Sequence, residues 1–102
     1  MRILPKPITF LWDKGNLDKN LIKHKVTIAE AEELFMNEPF TVAIDEVHSS
    51  QEEKRFQALG KTKANRKLFT AFTIRDNKIR IISVRDMKRK EREVYERLEA
   101  NS

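Results

Sequence analysis

Ile8, Phe10 and Trp12 alternate with Thr9 and Leu11, the period-two pattern of a short half-buried strand, and Asp13, Lys14 and Gly15 end it. Asn16 is a fitting N-cap for a helix from Leu17 to about His24, whose one face would carry Leu17, Asn20, Leu21 and His24. Thr27 with Glu30 three residues on forms a capping box. It opens a second helix with Ile28, Ala31, Leu34 and Phe35 on its inner stripe, ending before Pro39. From Phe40 to Val84 the pattern is that of strands. Phe40, Val42 and Ile44 alternate, and Asp45 to Glu53 reads as a polar loop. Arg55 to Gly60 places Phe56 and Ala58 on one face, and Leu68 to Ile74 is apolar on both faces, as in a central strand. Asp76 and Asn77 suit a two-residue hairpin turn leading into Lys78 to Val84. A last helix runs from about Met87 to Glu99, with Met87, Glu91, Val94 and Leu98 as its stripe and Tyr95 at the stripe's edge. This order predicts one α+β domain over residues 1–102 with a mostly antiparallel sheet.

Composition narrows the class. With 102 residues the chain can build one modest core. No apolar run approaches the ~20 residues of a membrane span, and the N-terminus lacks the apolar stretch of a signal peptide. Zero cysteines exclude disulfide scaffolds and thiolate metal sites and fit a reducing cytoplasm. The net charge of +5 is uneven: residues 1–51 carry −2 and residues 52–102 carry +7. Such asymmetry points to an anionic partner for the basic half, nucleic acid being the usual one.

The basic residues cluster twice. Lys61, Lys63, Arg66 and Lys67 crowd one strand connection, and Arg85, Lys88, Arg89, Lys90 and Arg92 surround the start of the last helix. Cations at a helix start oppose its dipole, whereas the free N–H groups there favour an anion, so Arg85, Lys88 and Arg89 suit a held phosphate. Either run, taken alone, also fits a solvated surface. Glu91 falls on the inner stripe of its helix and needs a cationic partner; Arg80 and Arg55 of the sheet are the candidates. His24 reads as a packing residue near Trp12, and Tyr95 as either a packing group or a hydrogen-bonding group at a phosphate. Nucleotide-binding glycine loops, the GxSxG elbow and the HExxH zinc motif are all absent, and two histidines 24 residues apart make a weak metal site. No metal or cofactor is therefore expected.

Several of these residues occur in a familiar order. Phe10-Leu11-Trp12-Asp13, Lys14, Asn16, Asn20, Lys23-His24 and Val26 resemble the opening of the BrnT family, toxins of bacterial type II toxin–antitoxin modules. The similarity continues through Ala31, Phe35, Glu53-Lys54-Arg55-Phe56 and Ala58-Leu59-Gly60. It then takes in Ile79-Arg80-Ile81-Ile82-Ser83-Val84-Arg85-Asp86-Met87 and Arg89-Lys90-Glu91-Arg92, and ends at Tyr95. The resemblance implies a RelE-like fold, a twisted antiparallel sheet with two N-terminal helices and one C-terminal helix. It also implies a metal-independent endoribonuclease that inhibits translation and growth. Such a toxin would be neutralised in the cytoplasm by a cognate ribbon-helix-helix antitoxin of the BrnA kind, with operator DNA bound only through the antitoxin and no membrane involved. Catalytic weight falls on Arg55, Arg85, Arg89 and Tyr95, with Glu53 and His24 behind them. Lys88 stands where the family often has Ser or Thr, and lysine offers no acceptor, which allows for an attenuated enzyme.

A ribonuclease without metal needs the ribose 2′-hydroxyl to attack the adjacent phosphorus, giving a 2′,3′-cyclic phosphate and a 5′-hydroxyl. That requires a proton acceptor, a proton donor and cations on the phosphoryl oxygens. Arg55 and Arg85 suit the cationic role, and Tyr95, Glu53 or His24 the proton transfers. Lys61, Lys63, Arg66, Lys67 and Lys88 would follow the RNA backbone, a contribution weakened by salt. The alternative is a nonenzymatic module whose basic surface binds nucleic acid or an antitoxin-like protein without cleavage.

Overall fold

A computed structural model describes residues 4–15 and 23–101. Its elements are helix α1 (Ile28–Glu33), strands β1 (Thr41–Asp45), β2 (Arg55–Lys61), β3 (Lys67–Arg75) and β4 (Lys78–Asp86), and helix α2 (Arg89–Ala100). The strands form one antiparallel sheet in the order β1-β2-β3-β4. The β3–β4 connection is the expected tight turn: Asp76 and Asn77 both take positive φ, 53° and 60°, as a type I′ turn requires. The expected N-terminal strand is reduced to a single parallel bridge between Phe10 and Ile79. Two backbone bonds hold it, Leu11 N–H to Ile79 O and Ile79 N–H to Thr9 O, and they cover the outer edge of β4. The helix expected from Leu17 to His24 falls mainly on residues 16–22, outside the described residues; 14–15 and 23–24 on either side are helical.

One face of the sheet builds the core. Phe56, Ala58, Leu68, Phe72, Ile79, Ile81 and Val84 bury against Ala31, Leu34 and Phe35. The Phe35 ring meets those of Phe10, Phe40 and Phe72 at 4.9–5.3 Å between centroids. The capping box of α1 forms in both directions, Thr27 Oγ1 accepting from Glu30 N and Glu30 Oε1 accepting from Thr27 N. The helix is shorter than expected, ending at Glu33, so Leu34 and Phe35 enter the core from its final turn while Ile28 stays 44% exposed. Gly60 lies where β2 passes beneath this layer. A Cβ there would stand 3.0 Å from the Phe40 ring and 3.3 Å from the Leu34 carbonyl.

Helix α2 crosses the opposite face at the end where β1 begins and β4 ends. Of the expected stripe, Met87 is buried and Glu91 turns inward onto the sheet, but Val94 and Leu98 do not. Tyr95 is fully buried, whereas Val94 is 53% exposed and Leu98 36%. Salt bridges set this rotation. Glu91 reaches Arg85 of β4, Glu96 reaches Lys67, and Glu99 reaches both Lys67 and Lys61. Glu91, Tyr95 and Glu99 share one helical row at i, i+4 spacing, so meeting the cations of the sheet buries Tyr95 between the two acids. The Tyr95 hydroxyl donates to the Pro39 carbonyl at 2.6 Å, tying the helix to the segment before β1.

Candidate nucleic-acid interface

The strand register aligns four side chains across the sheet on the face opposite the core. Asp45 on β1 pairs with Arg55 on β2, Arg55 with Thr73 on β3, and Thr73 with Arg80 on β4. Directly paired residues point to the same face. Adjacent strands lie ~4.8 Å apart, so the Arg55 and Arg80 backbones stand roughly 10 Å from one another. Thr73 is fully buried between them, its hydroxyl donating to the Lys54 carbonyl at 2.8 Å.

Arg80 joins this row through a bulge. Ala71 pairs with Ser83 but Phe72 pairs with Ile81, leaving Ile82 as an extra residue in β4. In an unbroken strand Arg80 and Arg85, five residues apart, would point to opposite faces. The inserted residue resets the alternation. Ile79, Ile81 and Val84 all enter the core, and Arg80 and Arg85 share the other face.

Carboxylates hold most of these guanidinium groups in place. Arg75 donates to Glu53 at 2.7 Å and Arg80 to Asp13 at 3.3 Å. The hydrogen bond from Arg75, helped by the charges of Arg75, Arg80 and Arg55, draws the Glu53 carboxyl below its usual range against an opposing effect of burial. Glu53 is thus an ionised group among three arginines. Arg55 has no side-chain hydrogen bond or ion pair to another described residue. It acts on Glu53 through its charge alone, without a direct bond.

Arg85 forms a second centre about four residues along the strands. Its two terminal nitrogens meet both Glu91 oxygens, at 2.8 and 3.0 Å, and its guanidinium lies 4.1 Å from the centroid of the Phe69 ring. Arg85 is therefore the sheet partner of Glu91, instead of the expected Arg80 or Arg55. The hydrogen bonds from Arg85 hold the Glu91 carboxyl low, and Glu91 also accepts the Lys88 backbone N–H at 2.8 Å. Only this half of a capping box can form, since the lysine ammonium has nothing to accept with. Between Glu91 and Val94 on one side and Ala43, Gln57, Leu59 and Phe69 on the other lies a cleft of about 250 Å³.

The other candidates stand apart from the row. Lys61, Arg66 and Lys67 are spent on internal carboxylates: Glu99 for Lys61, Glu30 and Asp86 for Arg66, and Glu96 and Glu99 for Lys67. Arg66 also donates to the carbonyls of His24 and Lys25. It fastens residues 24–25 to α1 and to the end of β4. Lys63 and Lys88 are exposed, and Arg89 is 87% exposed in a loose pair with Glu93 at 3.5 Å. His24 lies within electrostatic reach of Asp86, at the opposite end of β4 from Arg80. Burial pushes the Tyr95 hydroxyl up to about 12, and it is committed to Pro39. Arg75, Arg80, Asp13 and Asp45 were not singled out as site residues by pattern, because only the register and the bulge bring them together. Among the described residues no group of three or more His, Cys, Asp or Glu is placed to hold a metal ion, and no helix is long and apolar enough to cross a membrane.

Comparison with known proteins gives a consistent picture. The family model described as ribonuclease toxin, BrnT, of type II toxin-antitoxin system matches residues 12–91. The 1.1 Å crystal structure of the Brucella abortus ribonuclease toxin BrnT superimposes with a TM-score of 0.56 at 16% identity, covering 80% of this chain and 99% of that one. At that identity the likeness is one of fold. No curated protein matches the sequence.

Proposed function

Given that the chain belongs to the BrnT family of ribonuclease toxins of type II toxin–antitoxin systems, we propose that its cross-sheet arginine row is the place where RNA is cut. One observation carries this reading: Arg55, which has no ion pair among the described residues, and Arg80, tethered to Asp13, flank Thr73 on a single face of the sheet. Two guanidinium forks on one face match the oxygens of one phosphodiester. As the 2′-oxygen bonds to phosphorus and the bond to the 5′-oxygen breaks, charge grows on the non-bridging oxygens. Fixed cations aimed there lower the barrier without reorganising. The arginines supply the charge neutralisation, so the reaction runs without a metal.

Within this reading the residues divide by role. Arg55 and Arg80 bind the scissile phosphate. Glu53, ionised and bonded to Arg75, positions the arginine cluster. Arg85, stacked on Phe69 and clamped by Glu91, meets the RNA farther along the strands, and exposed Lys63, Lys88 and Arg89 add diffuse attraction at the rim. Tyr95 fixes the helix that carries Glu91. We read the fold as RelE-like, and the partner as a cytoplasmic ribbon-helix-helix antitoxin that covers the row and links the complex to operator DNA.

The test is direct. Purified chain should cleave RNA in the presence of a chelator, leaving 2′,3′-cyclic phosphate and 5′-hydroxyl ends. RNA left intact, or cut only when a divalent ion is added, contradicts the proposal.

A further inference from the structure

Cleavage by 2′-hydroxyl attack needs a proton acceptor, and neither the row nor Glu53, Tyr95 or His24 supplies a good one. Glu53 is held ionised by three arginines, which makes it a weak base. The Tyr95 hydroxyl is buried and bonded to Pro39. His24 belongs with Asp86, whose partner Leu68 lies five residues from Thr73 on β3, roughly 17 Å along the strand.

The loop after β1 holds a better candidate. Asp45 ends β1, and its carboxylate turns onto His48 three residues later. Oδ2 lies 2.8 Å from the imidazole Nδ1, Oδ1 accepts the His48 backbone N–H at 3.3 Å, and Oδ2 also accepts from the Gln57 side-chain amide at 3.1 Å. Burial pulls the Asp45 carboxyl upward, but the bonds from His48 and Gln57 outweigh it and leave the group below its usual range. An ionised carboxylate only accepts, so the proton on the ring sits at Nδ1 and Nε2 is left as a lone-pair acceptor. The loop is pinned to the site itself. Ser49 Oγ donates to the Asp45 carbonyl at 2.6 Å and accepts the backbone N–H of Arg55 at 2.9 Å. Asp45 is also the register partner of Arg55, with side chains that stand ~5 Å apart at Cβ on the same face. The His48 side chain is 61% exposed. A carboxylate-oriented imidazole thus stands open to solvent on the loop that Ser49 ties to the Arg55 backbone.

We propose that His48, oriented by Asp45, is the catalytic base of the RNA cleavage, a role that rests on the ribonuclease reading above. Nε2 takes the proton of the 2′-hydroxyl as the 2′-oxygen–phosphorus bond forms. The phosphorus–5′-oxygen bond breaks, and the departing 5′-oxygen is protonated by water. Arg55 and Arg80 face the non-bridging oxygens throughout, and the imidazolium returns its proton to solvent. The charged group bonded to the ring is the Asp45 carboxylate, whose other side-chain partner, the Gln57 amide, is neutral.

Two measurements on the full chain test this. First, nitrogen NMR of the histidine rings should show His48 with its proton on Nδ1, and Asp45→Asn should abolish that preference. A ring protonated at Nε2 in the unaltered protein overturns the assignment. Second, His48→Gln should lower the single-turnover rate of RNA cleavage by roughly 10²- to 10⁴-fold and remove the acid limb of its pH profile. Binding of an uncleavable 2′-O-methyl RNA should be unchanged. Cleavage by His48→Gln at the unaltered rate overturns the role of His48 and leaves the ribonuclease reading standing. No cleavage by the unaltered chain overturns both.

Discussion

Arg80 and Arg85 stand on the same face of β4 although five residues separate them, because Ile82 bulges from the strand between them. The same inserted residue lets Ile79, Ile81 and Val84 all reach the core. A strand that must bury three apolar side chains and offer two arginines on its far side meets both demands by breaking period once. The outcome is a face with two cationic centres, one shared with Arg55 and one clamped by Glu91.

The Arg80 position has a measurable consequence for binding. Replacing Arg80 with Ala removes one phosphate contact, so affinity for 2′-O-methyl RNA should fall and the salt dependence of log K should flatten by about 0.7 for single-stranded RNA. Titration at several salt concentrations reads both. An unchanged slope would place Arg80 outside the RNA path.

The lysines of the β2–β3 connection should behave differently. Lys61 and Lys67 are paired with Glu96 and Glu99, and those bonds hold Lys67 above and Glu99 below their ordinary values. Lys61→Ala and Lys67→Ala are expected to loosen α2 and lower the melting temperature while leaving the salt slope of RNA binding intact. A slope that flattens as much as in Arg80→Ala would return these lysines to the interface.

Tyr95 separates a positioning role from a chemical one. Tyr95→Phe removes the bond to the Pro39 carbonyl and should cost about 1 kcal/mol of stability in urea unfolding. The cleavage rate per folded molecule should stay as it was. Loss of cleavage with stability retained would put the hydroxyl in the reaction.

Acid should weaken the fold in a defined direction. The carboxyl of Glu91 lies below its ordinary value of 4.5, chiefly through the hydrogen bonds from Arg85, and Glu53, Glu30 and Asp86 are lowered as well. A group whose folded value is depressed gives stability that is complete above its unfolded value and lost as pH falls through the folded one. Stability should therefore be level near neutrality and decline below about pH 4.5. Glu91→Gln should start lower and decline less steeply, as urea midpoints measured from pH 3 to 7 would show. An equal acid slope in both proteins would contradict the Arg85–Glu91 assignment.

Much of the fold was legible in the order of residues, and the reasons are local. Thr27 and Glu30 announce the start of α1, and Asp76-Asn77 announces the β3–β4 turn, since both depend on chemistry within four residues. The apolar run of β3 marks it as interior because both its faces are covered in part. The rotation of α2 was not legible from its apolar period. It follows from carboxylates meeting Arg85, Lys67 and Lys61, which lie up to 38 residues away in sequence. The candidate site was legible only in pieces. Arg55, Arg85 and Glu53 stood out, but Arg80 and Asp45 join them through register across four strands and a bulge that no glycine or proline marks. The basic connection reads in sequence as one that follows the RNA backbone, yet three of its four cations are paired with carboxylates of the protein.

The account rests on the arginine row, and the most direct measurement is the cleavage rate of a chain carrying Arg55→Ala and Arg80→Ala together, made in chelator beside the unaltered protein and with folding checked by thermal melting. The unaltered chain should yield 2′,3′-cyclic phosphate ends and the folded double variant none. A folded double variant that cleaves at the unaltered rate would contradict the account.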